Sequence, residues 1–367
     1  LSVGINGGEK VYRKWILLML SVLLLVACWD ERLYKNASVV TLVGVEGRVG
    51  EYKGYYAYPN SAQQTEIIMA DGISPRNVRN NADLKVEQTL DLSELSTILV
   101  SDKTIKEPLY DILDIYFRDP QNPISIKIAI TEGDVQPFID LTKDLSGSAG
   151  GYYKRFIESA EENTFFPKLD LQTIGSMLFE QTIDIALPYI KLSKDEKHAD
   201  AAGLALFSGQ TFTGTVLTPD QSLMMLLLMN QSSKQARMSY MWKHDGKEMP
   251  ITGNVIHVKR KWTVNEELRR ITMDYQIDME IEEFAQNHLY KDSIFKDVQQ
   301  MFQDRVQAEF EEVLHILQHQ KSDTLGIGRH IRAYHPNMFQ ENWHEEFASL
   351  QLVPTVQVNI IRTGVLR

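Results

Sequence analysis

The clearest hydrophobic pattern in the chain lies at residues 270–284, where apolar and polar positions alternate. Successive side chains of a β-strand point to opposite faces, so one face of this segment is apolar and the other is polar and acidic. The pattern predicts an antiparallel strand in a sheet that is covered on one side only. The apolar positions are Ile271, Met273, Tyr275, Ile277, Met279 and Ile281.

The next segment has the spacing of a helix. Apolar residues recur every three or four positions between residues 294 and 317, which forms one stripe about 34 Å long on an α-helix. No other segment of the C-terminal half has a matching apolar length, so we expect this helix to cover the apolar face of the strand. The stripe consists of Ile294, Val298, Phe302, Val306, Phe310, Val313 and Leu317.

Shorter patterns predict the remaining elements. Residues 208–210 should join two strands into a hairpin. Apart from one short strand at 66–70, residues 60–86 are predicted to be mostly loop. The glycine-rich residues 147–151 are predicted to be a flexible connector, since a phosphate-binding loop would need a lysine and a serine or threonine at fixed offsets, which are absent. Strands are predicted at 38–46, 52–58, 66–70, 97–101, 124–130, 201–207, 211–217, 237–244, 254–264 and 355–361, and helices at 84–95, 109–117, 152–163, 170–183, 219–230 and 338–350.

These elements indicate the α+β class: a mixed α/β, multi-domain protein whose C-terminal antiparallel sheet is covered on one face by a long helix. The charged segment 193–200 is interpreted as a linker between domains. The predicted organisation is a signal segment at 1–27, an N-terminal domain at 28–192, the linker, and a C-terminal α+β domain at 201–367.

The N-terminal apolar run determines the expected location of the protein. A basic pair precedes the run at 16–26, Leu-Val-Ala-Cys closes it, and Asp30 follows. This order is typical of a bacterial lipoprotein signal peptide. Spanning a membrane takes about 20 apolar residues, and this run has roughly a dozen. We therefore expect cleavage before Cys28, which then carries an S-diacylglyceryl and an N-acyl group.

The alternatives are an uncleaved N-terminal anchor, or a short buried helix with an incidental cysteine. Cys28 is the only cysteine in 367 residues and stands at the end of the apolar run, which favours lipidation. A single cysteine also excludes an intramolecular disulfide and a metal site with several thiolates. After Cys28 the most apolar run, 223–229, has only seven residues.

The charge of the chain limits its partners. Residues 1–27 carry three basic residues and one acidic residue, so their removal changes the formal net charge from −11 to −13. An acidic surface disfavours nucleic acid, whose binding depends on neutralising phosphates. Anionic lipid would also repel it. Membrane attachment should therefore come from the lipid, whose two acyl chains suffice for stable anchoring.

Two groups of residues could bind metal. Asp274, Asp278, Glu280 and Glu282 share the polar face of one predicted strand, but neighbours on that face lie about 7 Å apart, too far for one ion without ligands from another strand. A solvated face is favoured, with an acidic docking face as the alternative. His315 and His319 are one helical turn apart, but Ile316 stands where a zincin motif has glutamate, so surface or half-buried histidines are favoured.

No catalytic motif is present. The chain has no Gly-x-Ser-x-Gly elbow and no cysteine for thiol catalysis. We therefore expect no catalytic, metal-binding or cofactor-binding residues and a protein that is not an enzyme. A solute-binding lipoprotein of a transporter is the alternative function, although such proteins have two lobes of parallel strands and helices, which the antiparallel C-terminal half does not match.

Five stretches in order along the chain are shared with one known family. They are Cys28-Trp29-Asp30; residues 39–47; residues 111–120; residues 203–207 with Gly214; and a C-terminal run with Ser322-Asp323, Gly326-Ile327-Gly328, Trp343, Phe347 and residues 356–364. Together they resemble the Ger(x)C family, the lipoprotein C subunits of nutrient germinant receptors in endospore-forming bacteria. The chain departs from this family near Glu94, where a histidine is frequent, and at Ser101-Asp102, where a Gly-Glu pair is frequent.

The resemblance implies a non-enzymatic subunit with mixed α/β domains. It would assemble with two integral membrane subunits, of A and B type, in the inner membrane of the dormant spore. Its soluble part would lie on the outer face of that membrane. There it would help convert nutrient sensing into the release of ions and dipicolinate.

Overall fold

The computed structural model describes residues 37–362 except 61, 63, 146, 245 and 285–291, together with residues 12–16 and 19. Within these residues, no helix is both long and apolar enough to cross a membrane. Cys28 lies outside the described residues.

The strands, in chain order, are β1 (Ala37–Val39), β2 (Leu42–Arg48), β3 (Glu51–Pro59), β4 (Thr65–Gly72), β5 (Thr89–Asp91), β6 (Thr97–Ser101), β7 (Lys127–Thr131), β8 (Ala186–Leu192), β9 (Ala199–Ser208), β10 (Thr211–Leu217), β11 (Arg237–His244), β12 (Lys247–Asn265), β13 (Arg270–Phe284) and β14 (Gln351–Arg362). The α-helices are α1 (Pro75–Asp83), α2 (Leu109–Arg118), α3 (Gln136–Asp140), α4 (Ala149–Glu162), α5 (Leu171–Leu178), α6 (Pro219–Leu228), α7 (Asp292–His319), α8 (Ile327–Tyr334) and α9 (Trp343–Ser349).

An eight-stranded mixed sheet has the spatial order β10-β9-β8-β7-β6-β2-β3-β4. Its four central strands, β8, β7, β6 and β2, are parallel, and the hairpins on both sides add antiparallel strands. The central strands are apolar on both faces, as parallel strands covered by helices should be. In β6 all five residues are buried.

Two hydrophobic cores lie on opposite faces of this sheet. Ile98 and Val100 of β6 belong to the core beneath α1, α2 and α5. Leu99, between them, belongs to the other core, which is shared with α3, α4 and α6. That second core continues without interruption into the C-terminal half and includes Ile277 of β13.

The second sheet confirms the predicted C-terminal architecture. Strands β11, β12 and β13 are antiparallel, and α7 covers their apolar face. All seven residues of the predicted stripe on α7 are buried, as are the six alternating apolar residues of β13. The rings of Tyr275 and Phe310 meet edge to face at 5.0 Å. One detail differs from the prediction, because the last strand, β14, pairs parallel to β13.

Two local predictions in the N-terminal half are wrong. The segment 84–95 does not form a helix; Leu84 is 86 % exposed, and β5 within this segment pairs with β1. The segment 60–86 contains the helix α1, which begins after the N-cap residue Ser74 with proline at its first turn. Only Val78 and Ala82 are buried on α1, so its apolar stripe was too narrow to indicate a helix.

The glycine-rich residues 147–151 are not a flexible connector. The Ser148 side chain caps the start of α4 by accepting a hydrogen bond from the Gly151 N–H. Gly150 lies against the sheet, where its N–H donates to the Thr41 hydroxyl at 3.3 Å and its carbonyl accepts from the Thr97 hydroxyl at 3.0 Å. The small residues allow this close approach of helix and sheet.

The predicted linker at 193–200 joins β8 to β9, which are antiparallel neighbours in the eight-stranded sheet. The Ser193 N–H donates to the His198 carbonyl at 2.9 Å and closes this turn. The sheet therefore continues through the segment at which the domain division was placed, and the division itself stays a prediction.

Candidate functional site

Two buried carboxylates meet where the N-terminal and C-terminal halves of the chain touch. Asp184 precedes β8 and is 3 % exposed, and Asp323 lies between α7 and α8 and is fully buried. The Asp323 N–H donates to the Asp184 carboxylate at 2.6 Å, and the Asp184 N–H donates to the Asp323 carbonyl at 3.0 Å. We call this pair the aspartate junction.

The Asp323 carboxylate organises the start of α8. One oxygen accepts from the Ile327 N–H at 2.9 Å, and the other accepts from the Gly328 N–H at 2.6 Å and from the Trp343 indole N–H at 2.8 Å. The N-terminus of a helix has unpaired N–H groups and a partial positive charge, so it stabilises a carboxylate. Asp323 thereby ties α7, α8 and α9 together.

The Asp184 carboxylate connects the other half of the molecule. In addition to the Asp323 N–H, it accepts from the Gly209 N–H at 2.6 Å, in the turn between β9 and β10. It also contacts Nε2 of His344, on α9, at 3.0 Å. One side chain therefore holds the beginning of β8, the β9–β10 turn and two C-terminal segments.

The glycines of the 326–328 run are required by close contacts. Gly326 has a φ of +71°, in the left-handed region where a side chain is strained. A Cβ on Gly328 would stand 2.6 Å from Nε1 of Trp343 and 2.8 Å from the Thr182 carbonyl. Gly328 therefore allows the Trp343 indole and the residue-182 backbone to approach α8 together.

The junction shifts the pKa values of two groups. Burial raises the pKa of Asp323 to about 7, against the opposing effect of its three N–H donors. The hydrogen bond to Asp184 raises the pKa of His344. Both groups therefore hold a proton more tightly in the folded chain than in the unfolded one.

Further contacts cross the same boundary. The Ser322 hydroxyl donates to the Phe207 carbonyl at 2.6 Å, and the Ser208 hydroxyl donates to the Lys321 carbonyl at 2.9 Å. Nearby, Arg329 of α8 forms two hydrogen bonds to the Glu180 carboxylate at 2.7 and 2.5 Å. Bidentate arginine–carboxylate pairs fix geometry as well as adding energy.

This arrangement favours a structural role. The four carboxylate oxygens of the junction all accept hydrogen bonds from protein groups, and the nearby Ser322 hydroxyl donates to a backbone carbonyl instead of to a base. A nucleophilic serine would need a general base within hydrogen-bond reach. The geometry is instead that of a buried hydrogen-bond network that fixes the two halves of the chain in one relative position.

The structure separates the residues considered as metal ligands. The carboxylates of β13 contact different partners: Asp274 accepts from Thr355 at 2.5 Å, Asp278 from Asn359 at 2.9 Å, and Glu282 pairs with Arg237 at 2.5 Å. His315 and His319 are exposed on α7 with ring centroids 6.4 Å apart. Across the described residues, no three or more His, Cys, Asp or Glu side chains are grouped as metal ligands would be.

The two departures from the family pattern lie away from the junction. Glu94 is exposed. Asp102 accepts from the Gly133 N–H at 3.1 Å and from the Tyr189 hydroxyl at 2.8 Å, so it ties the end of β6 to β8.

Part of the junction lies in the C-terminal stretch that resembles the family. The structure brings together Ser322-Asp323, Gly326-Ile327-Gly328 and Trp343 of that stretch. Asp184 and His344 were missed. The available signal was an aspartate between Ile183 and Ile185 in an otherwise apolar run, where a buried carboxylate needs partners.

Comparison with known proteins identifies the family. Residues 30–192 match the model of the spore germination protein N-terminal domain, and residues 202–364 match that of the spore germination B3/GerAC-like C-terminal domain. The two matches follow each other in order and together cover most of the chain. The chain belongs to the Ger(x)C family of germination proteins.

Curated relatives are similar over nearly their full length. Spore germination protein GerQC of Bacillus cereus is 22 % identical over 362 residues, which cover 96 % of this chain and 99 % of that protein. Putative spore germination protein YfkR of Bacillus subtilis (strain 168) is 20 % identical over 390 aligned residues, which cover 98 % of each.

A solved structure has a similar fold. The crystal structure of the GerBC protein matches with a TM-score of 0.51 at 15 % sequence identity. The match covers 87 % of this chain and 97 % of that one. At this level of identity the similarity concerns the fold.

Proposed function

We propose that this protein is a lipid-anchored, non-enzymatic subunit of a spore nutrient germinant receptor, required for the germination response. The observation that carries the proposal is the ordered match of both halves of the chain to germination protein domains, at 30–192 and 202–364. The full-length similarity to germination proteins and the fold of GerBC support it.

The anchor is Cys28, the only cysteine of the chain, with its S-diacylglyceryl and N-acyl groups. Two or more acyl chains give stable membrane attachment, whereas the acidic surface gives none. The protein is held in this way at the inner membrane of the spore, with its soluble part on the outer face.

The fold supports a scaffolding role beside two integral membrane subunits of A and B type. The aspartate junction and the continuous core join both halves of the chain into one unit. A rigid unit transmits a change of position from one partner to another without chemistry of its own. No cofactor or metal has a part in this proposal.

Affinity purification from spore membranes tests the complex. A tagged chain should recover two integral membrane subunits in comparable amounts, and the same tag on an unrelated spore lipoprotein should recover neither. Recovery of a transporter permease in their place would contradict the proposal.

Calorimetry distinguishes the proposed function from the alternative, a solute-binding lipoprotein. The protein from residue 29 onwards, titrated with a panel of amino acids and sugars, should show no binding. Micromolar affinity for any of them would favour the solute-binding function, because such a protein closes over its ligand to gain affinity.

A further inference from the structure

A pocket of about 490 Å³ lies beside the aspartate junction, where the end of α6, β12 and α8 meet. Its walls include Arg260 and Trp262 from β12 and Arg329, His330 and Tyr334 from α8. We call it the arginine–tryptophan pocket. Its volume is within the range of sites that bind small molecules.

The charge of this pocket is opposite to that of the chain. Its lining has two arginines and no acidic residue, although the net charge is −11. By contrast, a pocket on the face of the eight-stranded sheet is lined by Glu46, Asp134, Asp140 and Glu196 together with two lysines. The arginine–tryptophan pocket is therefore locally positive, and attracts anions, on a chain whose net charge is negative.

Arg260 is the cation available to a ligand. Arg329 is already paired with Glu180, whereas Arg260 forms no ion pair within the described residues. Its Nη1 donates to the Leu228 carbonyl at 3.1 Å, and its guanidinium carbon lies 4.2 Å from the centroid of the Trp262 ring. These two contacts hold the guanidinium in place, so less conformational entropy is lost when an anion binds.

Three aromatic rings, those of Trp262, His330 and Tyr334, lie one after another along the pocket, starting beside the Arg260 guanidinium. The Trp262 and His330 ring centroids are 5.3 Å apart and nearly perpendicular, and those of His330 and Tyr334 are 4.9 Å apart. Tyr334 is 72 % exposed, so its ring can contact an entering molecule. Aromatic rings at such distances favour the binding of a further flat, apolar group.

We propose that the arginine–tryptophan pocket binds a small aromatic carboxylate. The carboxylate pairs with the Arg260 guanidinium, whose planar fork matches its two oxygens. The aromatic body packs against His330 and Tyr334. A free amino acid is a poorer ligand, because the lining has no acidic residue to pair with its ammonium group.

The electrostatics of His330 support this ligand class. Burial and the neighbouring charges of His335 and Arg260 lower the pKa of His330. The neutral form of the imidazole is therefore favoured, and in this form it offers the ligand a ring without adding a second charge.

Ligand-observed NMR on the full-length protein in detergent tests the proposal, with benzoate as the probe and benzamide and inorganic phosphate as comparisons. Benzoate should bind at least tenfold more tightly than benzamide, which has the ring without the charge. Phosphate at the same concentration should not displace benzoate. Equal binding of benzamide, displacement by phosphate, or no benzoate signal would each overturn the proposal.

Substitutions in the arginine–tryptophan pocket test whether benzoate binds there. Arg260→Gln should weaken benzoate at least tenfold, while Arg155→Gln, which removes an exposed arginine of α4, should leave it unchanged. Because both variants are measured in the same detergent, uptake of benzoate by the detergent cannot account for a difference between them. Tyr334→Ala removes an exposed ring that the fold does not need, and should weaken benzoate about threefold. Unchanged binding in Arg260→Gln or in Tyr334→Ala would place the site elsewhere.

Discussion

Asp323 shows how one buried side chain fixes a larger arrangement. Its carboxylate holds the first two N–H groups of α8 and the Trp343 indole, and its backbone is paired with Asp184. A buried charge of this kind is tolerated only because all its hydrogen-bonding positions have partners.

Replacing Asp323 by alanine should therefore be severe. Three buried N–H donors would lose their acceptor, and a single unsatisfied buried group costs about 1–3 kcal/mol. We expect the free energy of unfolding to fall by about 3 kcal/mol or more, measured by urea denaturation of the protein from residue 29 onwards. Asp278→Asn, on the polar face of β13, is the control and should change it by no more than about 0.5 kcal/mol.

The junction also predicts a dependence of stability on pH. The folded state raises the pKa of Asp323 to about 7 and raises that of His344. A group with a raised pKa contributes stability that is complete below its unfolded pKa and is lost as the pH rises through the folded one.

The free energy of unfolding should therefore fall between pH 5 and pH 8. Asp323→Asn should flatten this decline up to about pH 7, and His344→Gln should flatten the part above the pKa of an unperturbed histidine, about 6.5. A decline with the same slope in both variants would show that neither group is responsible.

Among the residues of the aspartate junction, only those on its C-terminal side could be recognised from the sequence. Asp323 stands in a run with two glycines and could be recognised by its resemblance to a family. Asp184 and His344 are far apart in sequence and make their contacts through the tertiary fold, so no local pattern connects them.

Among the elements, α7 and β13 form the most predictable unit. Both have long, regular patterns, and a one-sided sheet needs a cover of matching length. Phe302 is fully buried and contacts the Tyr240 ring at 5.5 Å.

Phe302→Ala should lower the free energy of unfolding by about 3–5 kcal/mol, because it removes a buried ring and leaves a cavity. Thermal melting followed by circular dichroism measures the effect, again with Asp278→Asn as the control. An unchanged melting curve in Phe302→Ala together with a collapsed one in Asp278→Asn would mean that the faces of β13 are assigned the wrong way round.

The less predictable elements are short and polar. α1 buries two residues, and its best signals were Ser74 before Pro75, a cap followed by proline at the first turn. α8 buries only Ile327, Gly328 and Ile331 and depends on the Asp323 carboxylate at its start. Tertiary contacts decide such elements more than their own periodicity does.

At the scale of the whole molecule, the order of the elements along the chain does not reveal that one hydrophobic core joins the two sheets. The apolar core that includes Leu99 of the eight-stranded sheet also includes Ile277 of β13, and α6 packs between β9 and α7. That arrangement explains why the last seven of the ten residues of α6, 222–228, are all buried. The apolar run at 223–229 is thus part of the core.

Membrane attachment is expected to depend on Cys28 alone. In a membrane fractionation, the wild-type protein should sediment with the membrane, and Cys28→Ala should be released by a salt or carbonate wash; a Cys28→Ala protein that stays firmly membrane-bound would contradict this expectation. The intact mass of the purified wild-type protein should correspond to a chain that begins at Cys28 with a diacylglyceryl and an N-acyl group. An unmodified N-terminus upstream of Cys28 would contradict the lipoprotein assignment.

The rate of nutrient-triggered germination tests the central claim most directly. Spores that lack this gene should lose the response to at least one nutrient; the wild-type gene and Asp278→Asn should restore it, and Cys28→Ala and Asp323→Ala should restore it poorly or not at all. If deletion of the gene leaves the response to every nutrient unchanged, the protein is not a required germinant receptor subunit.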